Sequence, residues 1–129
     1  MSKTCSTIPG APAALGPYSH AASARGFAFL SGQLGLDPST NALVPGGAAA
    51  EAAQSLANIA HVLKGLGLSM ADVVKSTIFL RNMEDFQAVN AVYAQAFGKD
   101  FPARSAVQVA ALPKLAAVEI EVIAAYPEA

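Results

Sequence analysis

The sequence has little charge, and this shortage excludes one class of partner. Asp, Glu, Lys and Arg make up 13% of the 129 residues, about half the share of about 25% that is usual in soluble proteins. Eight basic residues are scattered against nine acidic ones, so the net charge is −1. No basic stripe could follow a phosphate backbone, and nucleic acid is therefore not expected as a partner. Because 53% of the residues are hydrophobic, some apolar surface is expected to meet another subunit.

Cysteine and histidine are also scarce. Cys5 is the only cysteine, which excludes a disulfide within the chain and a thiolate metal cluster. His20 and His61 lie far apart without HExxH spacing, and they are interpreted as surface or strand-edge residues. The sequence therefore predicts no metal and no cofactor. It also contains no secretory h-region and no apolar run that could span a bilayer, so we expect a soluble, intracellular protein without a membrane partner.

The patterned segments predict a single α+β domain over residues 1–129. One helix is expected at about 48–65, with Ala52, Leu56, Ile59, Leu63 and Leu66 on one face. A second is expected after Asn82, with Phe86, Val89, Tyr93 and Phe97 on one face. Strand patterns begin at Phe27, Asp72, Arg104 and Ala117, with a short one near "YSHAAS". This interleaving favours a mixed sheet with both helices packed on one face.

Period-2 alternation assigns each strand residue to one of two faces. The helix-packed face is expected to carry Val74, Ser76, Ile78, Leu80, Ser105, Val107, Val109, Val118, Ile120, Val122 and Ala124. The opposite face is expected to carry Phe27, Phe29, Ser31, Gln33, Thr77, Phe79, Arg81, Arg104, Ala106, Gln108, Glu119, Glu121 and Ile123. So many phenylalanines are unusual on a face exposed to solvent, and so many charged residues are unusual in a closed core. They are typical of a surface shared between subunits, with polar pockets in it.

Arg104 and Glu119 are the charges that this apolar pattern does not explain. A guanidinium can hold a carboxylate in a two-pronged contact, and a partly buried glutamate can activate a water molecule. Together they suggest a pocket for a small carboxylic acid that undergoes proton transfer or hydration. A structural ion pair of Arg104 with Glu119 or Glu121, within the chain or across a subunit boundary, remains the alternative.

Three further polar or small residues are weaker candidates. Ser31 lies on a strand edge, where the neighbouring Gly32 lets a ligand approach the backbone closely. Asn90 falls near the apolar stripe of the second helix, where its amide needs a hydrogen-bonding partner.

Several segments then occur in a specific order: "APAALGPYSHA", "FLSGQLGLDPSTN", "QSLANI", "VVKSTIFLRNMEDFQAVNAVYAQAF" and "FPARSAVQVAALPKLAAVEIEVIA". This series, from about residue 9 to 125, closely resembles the RidA (YjgF) family of small cytosolic proteins, which includes reactive enamine and imine deaminases. The resemblance implies a chorismate mutase-like fold and a homotrimer whose sheets line a central barrel, with ligand clefts between subunits. Members of the deaminase branch hydrolyse 2-enamino or 2-imino acids, such as 2-aminoacrylate and 2-iminobutanoate, to 2-keto acids and ammonia.

The resemblance also implies roles for particular residues. Arg104 in "PARS" matches the arginine that binds the substrate carboxylate and marks the active, arginine-containing branch of the family. Glu119 in "VEIE" matches the glutamate that handles the hydrolytic water. Tyr18 and Ser31 match residues that line the cleft from the neighbouring subunit and assist by hydrogen bonding. Asn90 matches a helix asparagine near the cleft.

Two departures from the family pattern lie next to Arg104. The best-studied deaminases read Arg-Ser-Cys-Val-Glu-Val where this chain has "RSAVQV", so Ala106 replaces a cysteine and Gln108 a glutamate. A ligand contact through the backbone N–H of Ala106 would survive the change. The segment between Phe97 and Phe101 is also shorter than in some members.

The resemblance predicts a cofactor-independent, cytoplasmic imine and enamine deaminase that binds 2-imino and 2-keto acids. Three alternatives stay open. The chain is a non-catalytic binder of small carboxylates or a chaperone-like trimer, it is a ribonuclease, or it deaminates a larger catabolic aminoacrylate or muconate-type substrate, for which Ala106 leaves room.

Overall fold

A computed structural model describes residues 2–128, which form a mixed β-sheet with two helices. The strands are β1 (Thr4–Ser6), β2 (Ala21–Ala24), β3 (Phe27–Leu30), β4 (Gln33–Leu34), β5 (Val73–Leu80), β6 (Ala103–Gln108) and β7 (Val118–Ala125), and the helices are α1 (Gly47–Gly65) and α2 (Phe86–Phe97). Strand order is β1-β2-β3-β7-β5-β6, and β4 also pairs with β7. The α+β prediction is confirmed. Strand β1 was not predicted, because three residues show no alternation.

The order of elements places both helices on one face. Strands β5 and β6 pair in parallel and are connected through α2, whereas the other strand pairs are antiparallel. Most residues of the predicted stripes of both helices share one core with alternate residues of β7, and Leu66, Phe86 and Phe97 are partly buried beside it. The core includes Ala52, Leu56, Ile59, Leu63, Val89, Tyr93, Val118, Ile120, Val122 and Ala124. Among residues 2–128, no helix is both long enough and apolar enough to cross a bilayer.

Helix α1 also carries buried polar residues that hold the chain around β4. The Ser55 hydroxyl donates to the carbonyl of Gln33 at 2.6 Å. The Asn58 amide donates to the carbonyls of Leu34 and Leu36, at 3.3 and 2.9 Å. Buried carbonyl oxygens need such hydrogen-bond donors, because bulk water cannot reach them in the core. The backbone of residues 33–36 is thereby fixed to the helix.

We expect Asn58→Ala to lower the free energy of unfolding by about 2–3 kcal/mol, because it leaves two buried carbonyls without a side-chain partner. Urea denaturation at a fixed protein concentration measures the loss. Gln54→Ala is the matched control, since Gln54 contacts only the outer side of the Asn58 amide, and a loss below about 1 kcal/mol is expected there. Equal losses in the two variants would contradict the proposed anchoring.

The face assignment of β6 was wrong. In the parallel ladder Arg104 lies level with Ser76 and Ala106 with Ile78, and both β5 residues are buried under the helices. Arg104, Ala106 and Gln108 therefore lie on the helix side, whereas Val107 is 43% exposed on the opposite face. Small and apolar residues fall on both parities of this edge strand, so alternation could not choose between its faces.

Three other positions also differ from expectation. Gln33 is buried on the helix side, because the chain breaks its alternation between β3 and β4. An irregularity between Val73 and Lys75 exposes Val74, so Val73 takes the core position. His20, expected at the surface or at a strand edge, lies directly before β2 but is only 3% exposed.

Candidate functional site

A cleft of about 500 Å³ opens at the end of the open sheet face. We call it the carboxylate cleft. Its lining residues are Pro12, Ala13, Leu15, Tyr18, Ser31, Gly32, Gln33, Leu34, Leu36, Pro113, Glu119 and Glu121. Four of the predicted site residues, Tyr18, Ser31, Gly32 and Glu119, thus come together. Within residues 2–128, no three His, Cys, Asp or Glu side chains cluster as metal ligands would.

Glu119 is the central acidic group of this cleft. It projects from β7, between Leu34 of β4 and Phe79 of β5, and it is half-buried. Burial raises the pKa of its carboxyl group above the ordinary glutamate value, and repulsion from the Glu121 carboxylate raises the pKa further. The pKa of Glu119 therefore lies closer to neutral pH than that of an ordinary glutamate, and this suits a group that accepts and returns a proton.

Gly32 makes room for the Glu119 side chain. A Cβ atom at residue 32 would lie 2.8 Å from Cδ of Glu119, and it would meet the carboxylate oxygen Oε2 more closely still. The carboxyl group therefore lies across the bare backbone at the break between β3 and β4. The sequence predicted a close approach at Gly32, but the group that approaches in the structure is the chain's own glutamate.

Ser31 and Tyr18 present opposite hydrogen-bonding capacities. The Ser31 hydroxyl donates to the carbonyl of Ser19 at 2.6 Å, so only its lone pairs remain for a ligand. The Tyr18 hydroxyl accepts the Leu15 N–H at 3.2 Å, which leaves its proton free. The cleft thus offers a fixed acceptor, a free donor and a titratable carboxyl group.

Arg104 lies in a second, separate opening. Its guanidinium donates to Oδ1 of Asn90 at 2.7 Å and stands over the rings of Phe86 and Tyr93, 5.5 and 5.0 Å from their centres. These contacts orient the planar group while it stays exposed to solvent. We call this opening of about 340 Å³ the arginine pocket; it is lined by Asn90, Tyr93, Ala94, Phe101, Pro102 and Arg104. Asn90 thus has the bonding partner that its position required.

The free edge of β6 adds a backbone donor beside Arg104. The N–H of Val109 donates to the carbonyl of Leu80 at 2.9 Å. In a parallel ladder, successive residues alternate between facing the partner strand and facing away. The N–H of Ala106 therefore points away from β5, on the last strand of the sheet. The side-chain change from cysteine to alanine leaves this donor in place.

Gln108, the second departure, acts outside both openings. Its Oε1 accepts the N–H of Met83 at 2.7 Å, at the turn that leads into α2. A glutamine offers the same acceptor oxygen as a glutamate, so the substitution retains a cap for this turn.

Arg104 and Glu119 cannot pair within one chain. Arg104 is level with Ser76 and Glu119 with Phe79, on strands that flank β5. Their backbones are therefore separated by two strand spacings, about 10 Å, and by three residues along the strands, about 10 Å more. Their side chains also leave opposite faces of the sheet. The alternative of an ion pair between these two residues inside the chain is excluded.

Several residues that line the openings or contact Arg104 were not predicted. Phe86 and Tyr93 were assigned to the core alone, although the cation stands over their outer faces. Leu15 comes from a loop and Pro113 from a single 3-10 turn over residues 113–115, and neither segment is long enough to show a periodic signal. The one available signal was the exposed position of Leu15 beside the "GPY" turn, which by itself is too weak to mark a site.

Comparison with known proteins places the chain among many relatives. The family model described as Endoribonuclease L-PSP matches residues 9–126. A 2-iminobutanoate/2-iminopropanoate deaminase of Capra hircus is 54% identical over 114 residues, which cover 88% of this chain and 83% of that protein. The crystal structure of the yeast protein YEO7 has a TM-score of 0.94 and 43% identity, covering 98% of this chain and 100% of the other. A structure of E. coli TdcF with bound serine has a TM-score of 0.88 and 37% identity, covering 95% and 99%.

Proposed function

The chain belongs to the Endoribonuclease L-PSP family, also known as the YjgF/RidA family, and from this premise we propose that it deaminates 2-imino and 2-enamino acids. The products are 2-keto acids and ammonia, and no cofactor takes part. Relatives that are about half identical over most of the chain are named 2-iminobutanoate/2-iminopropanoate deaminase. The bound serine in the TdcF structure supports a ligand of amino-acid size.

The observation that carries this proposal is that each opening holds one of the two groups that the reaction needs. A 2-imino acid presents a carboxylate and an electrophilic carbon on adjacent atoms, so one substrate needs a cation and a base only a few ångströms apart. The carboxylate cleft holds the base and the arginine pocket holds the cation, on opposite faces of one chain. We therefore propose that Arg104 of one copy completes the cleft of the next.

A homotrimer with clefts between subunits, built from chorismate mutase-like domains, is the assembly we propose. Its support is the open sheet face, where Phe27, Phe29 and Val107 are 42, 48 and 43% exposed. Large apolar side chains clustered on one face favour a partner surface. We further propose that residues 1–129 are one domain, since β1 and β7, near the two ends, belong to one sheet. A cytoplasmic location stays a proposal, which cell fractionation tests.

In the proposed reaction Arg104 and the N–H of Ala106 bind the substrate carboxylate. Glu119 takes a proton from water as the water oxygen bonds to C2 of the iminium group, giving a carbinolamine. Protonated Glu119 then returns the proton to the amino nitrogen. The C–N bond breaks, and Glu119 takes the hydroxyl proton as the ketone forms. The departing ammonia then takes this proton from Glu119 and leaves as ammonium, which restores the carboxylate. An enamine enters this sequence after protonation at its β-carbon.

The remaining polar groups assist at defined atoms. The Ser31 hydroxyl is restricted to accepting, so it suits the N–H of the iminium group. The Tyr18 hydroxyl has a free proton, so it suits the oxygen that develops at C2. A positioned acid or base contributes about 10²- to 10⁴-fold, which is sufficient for an imine that already reacts slowly with water.

A coupled assay tests the function directly. Threonine dehydratase generates the imine in situ, and 2-keto acid formation is followed with and without this protein. The proposal expects acceleration above spontaneous hydrolysis. No acceleration with imines from several amino acids would favour the alternatives of ligand binding or chaperone activity. A parallel assay with RNA tests the ribonuclease named in the family description, which the net charge of −1 disfavours.

Gly32→Ala is expected to lower kcat/KM at least tenfold, because the new methyl group occupies the space of the Glu119 carboxyl group. The assay above measures the loss. Gly16→Ala is the matched control: its Cβ would meet only Tyr18, at 3.8 Å, an ordinary contact distance. The control should stay within about twofold of wild type. An active Gly32→Ala enzyme would contradict the proposed position of Glu119 during turnover.

A further inference from the structure

His20 is buried, and both of its ring nitrogens have backbone partners. Nδ1 accepts the N–H of Ile8 at 2.9 Å, and Nε2 donates to the carbonyl of Pro12 at 2.8 Å. Because Nδ1 accepts, the proton of the neutral ring lies on Nε2. The ring therefore bonds two points of the N-terminal segment, four residues apart. Pro12 also lines the carboxylate cleft.

The main chain beside this ring holds Ser31. The N–H of Ser31 donates to the carbonyl of His20 at 3.0 Å. The Ser31 hydroxyl donates to the carbonyl of Ser19 at 2.6 Å. His20 and its neighbour Ser19 thus connect residues 8–12 to the Ser31 hydroxyl, which faces the cleft. Asn41 secures the same wall from outside, since its side chain accepts the N–H of Ala13 at 3.1 Å.

We infer that His20 is a positioning residue of the carboxylate cleft. Its ring fixes residues 8–12, and its backbone fixes the direction of the Ser31 hydroxyl. The inference rests on the proposed function, because it assigns a catalytic consequence to this anchoring. His20 does not line the cleft, so it acts on the substrate through Ser31.

His20→Leu and His20→Gln separate the hydrogen bonds from the volume of the ring. Leucine fills the space without a donor or acceptor, whereas glutamine offers one of each. His20→Leu is expected to lower kcat/KM about tenfold, since even a full displacement of a positioned group by about 1 Å can cost about 10²-fold. His20→Gln is expected to stay within about threefold of wild type. Ile59→Val, a core change away from the cleft, should stay within about twofold.

A purely structural role predicts a different pattern from a positioning role. If His20 acts through Ser31, the double variant Ser31→Ala/His20→Leu has the same kcat/KM as Ser31→Ala alone. Independent structural damage instead makes the two losses multiply. Multiplying losses, or an equal defect in His20→Gln and His20→Leu, would overturn the inference.

Amide hydrogen exchange provides a readout that does not depend on turnover. The amides of Ile8 and Ser31 should lose protection in His20→Leu and keep it in His20→Gln, while amides of α1 stay protected in both. If the wild type shows no deaminase activity, the proposed function fails. The exchange data still decide whether His20 holds Ser31: unchanged protection of Ser31 in His20→Leu refutes it.

Discussion

Arg104→Ala is expected to lower kcat/KM for 2-iminobutanoate by about 10²- to 10³-fold. The variant removes two charge-assisted hydrogen bonds to the substrate carboxylate, together worth about 3–4 kcal/mol. Arg104→Lys keeps the charge but loses the planar fork, so a partial recovery of about tenfold is expected. The coupled dehydratase assay measures both variants.

Arg25→Ala is the control for a general effect of lost charge. Arg25 is an exposed residue in the turn between β2 and β3, and it contacts neither opening. Its removal should leave kcat/KM within about twofold of wild type. Full activity of an Arg104→Ala protein that keeps its wild-type solution mass would return Arg104 to a structural role.

Glu119→Gln is expected to lower kcat by about 10²- to 10⁴-fold, the usual contribution of a positioned base. Glutamine keeps the shape and can still accept a hydrogen bond, but it cannot take the proton of water. KM should change little, because the substrate carboxylate binds to Arg104. Unchanged kcat would exclude Glu119 as the base.

Mixing the two inactive variants tests whether the site is shared between copies. An Arg104→Ala subunit still has Glu119, and a Glu119→Gln subunit still has Arg104. Random exchange of subunits in a trimer should restore about a quarter of wild-type activity, since about one boundary in four joins two intact halves. No recovery after demonstrated exchange would place both residues of a working site in one chain.

The raised pKa of Glu119 has consequences for pH dependence. Burial, and then Glu121, favour the protonated form, so the active carboxylate is lost as pH falls through a value above the ordinary glutamate pKa. The acid limb of the kcat/KM profile should follow this group. Glu121→Gln removes the repulsion and should shift that limb to lower pH.

The raised pKa of Glu119 also affects the stability of the fold, and here the ionised form is the unfavourable one. A group whose folded-state pKa is raised stabilises the fold below its unfolded pKa, and this contribution is lost as pH rises through the folded pKa. Ionised Glu119 therefore reduces stability at neutral pH. Glu119→Gln should have a higher Tm than wild type at pH 7, and the difference should vanish in acid.

The fold was largely predictable because its core elements are strongly periodic. The stripes of α1 and α2 and the alternation of β7 each identified their buried faces from spacing alone. Edge strand β6 was not predictable in this way, because Ala106 and Val107 put small or apolar side chains on both faces. Only its pairing with the buried residues of β5 determines which face Arg104 occupies.

The sequence indicated residues for the candidate site but not their arrangement. Family resemblance indicated Arg104, Glu119, Ser31, Tyr18 and Asn90. These residues are divided between two distant openings because of the strand order. No local pattern in the sequence reveals that order. Buried polar residues such as Ser55 and Asn58 escaped prediction for the same reason, since their partners are backbone carbonyls distant in sequence.

The exposed position of Arg104 at a sheet edge has an evolutionary consequence. Its side chain fills no part of the buried core, so a single codon change there removes the proposed chemistry while leaving every packed layer intact. The catalytic property and the architecture can thus be inherited separately. The family resemblance implies the same separation, because branches of the family that lack this arginine are not expected to deaminate.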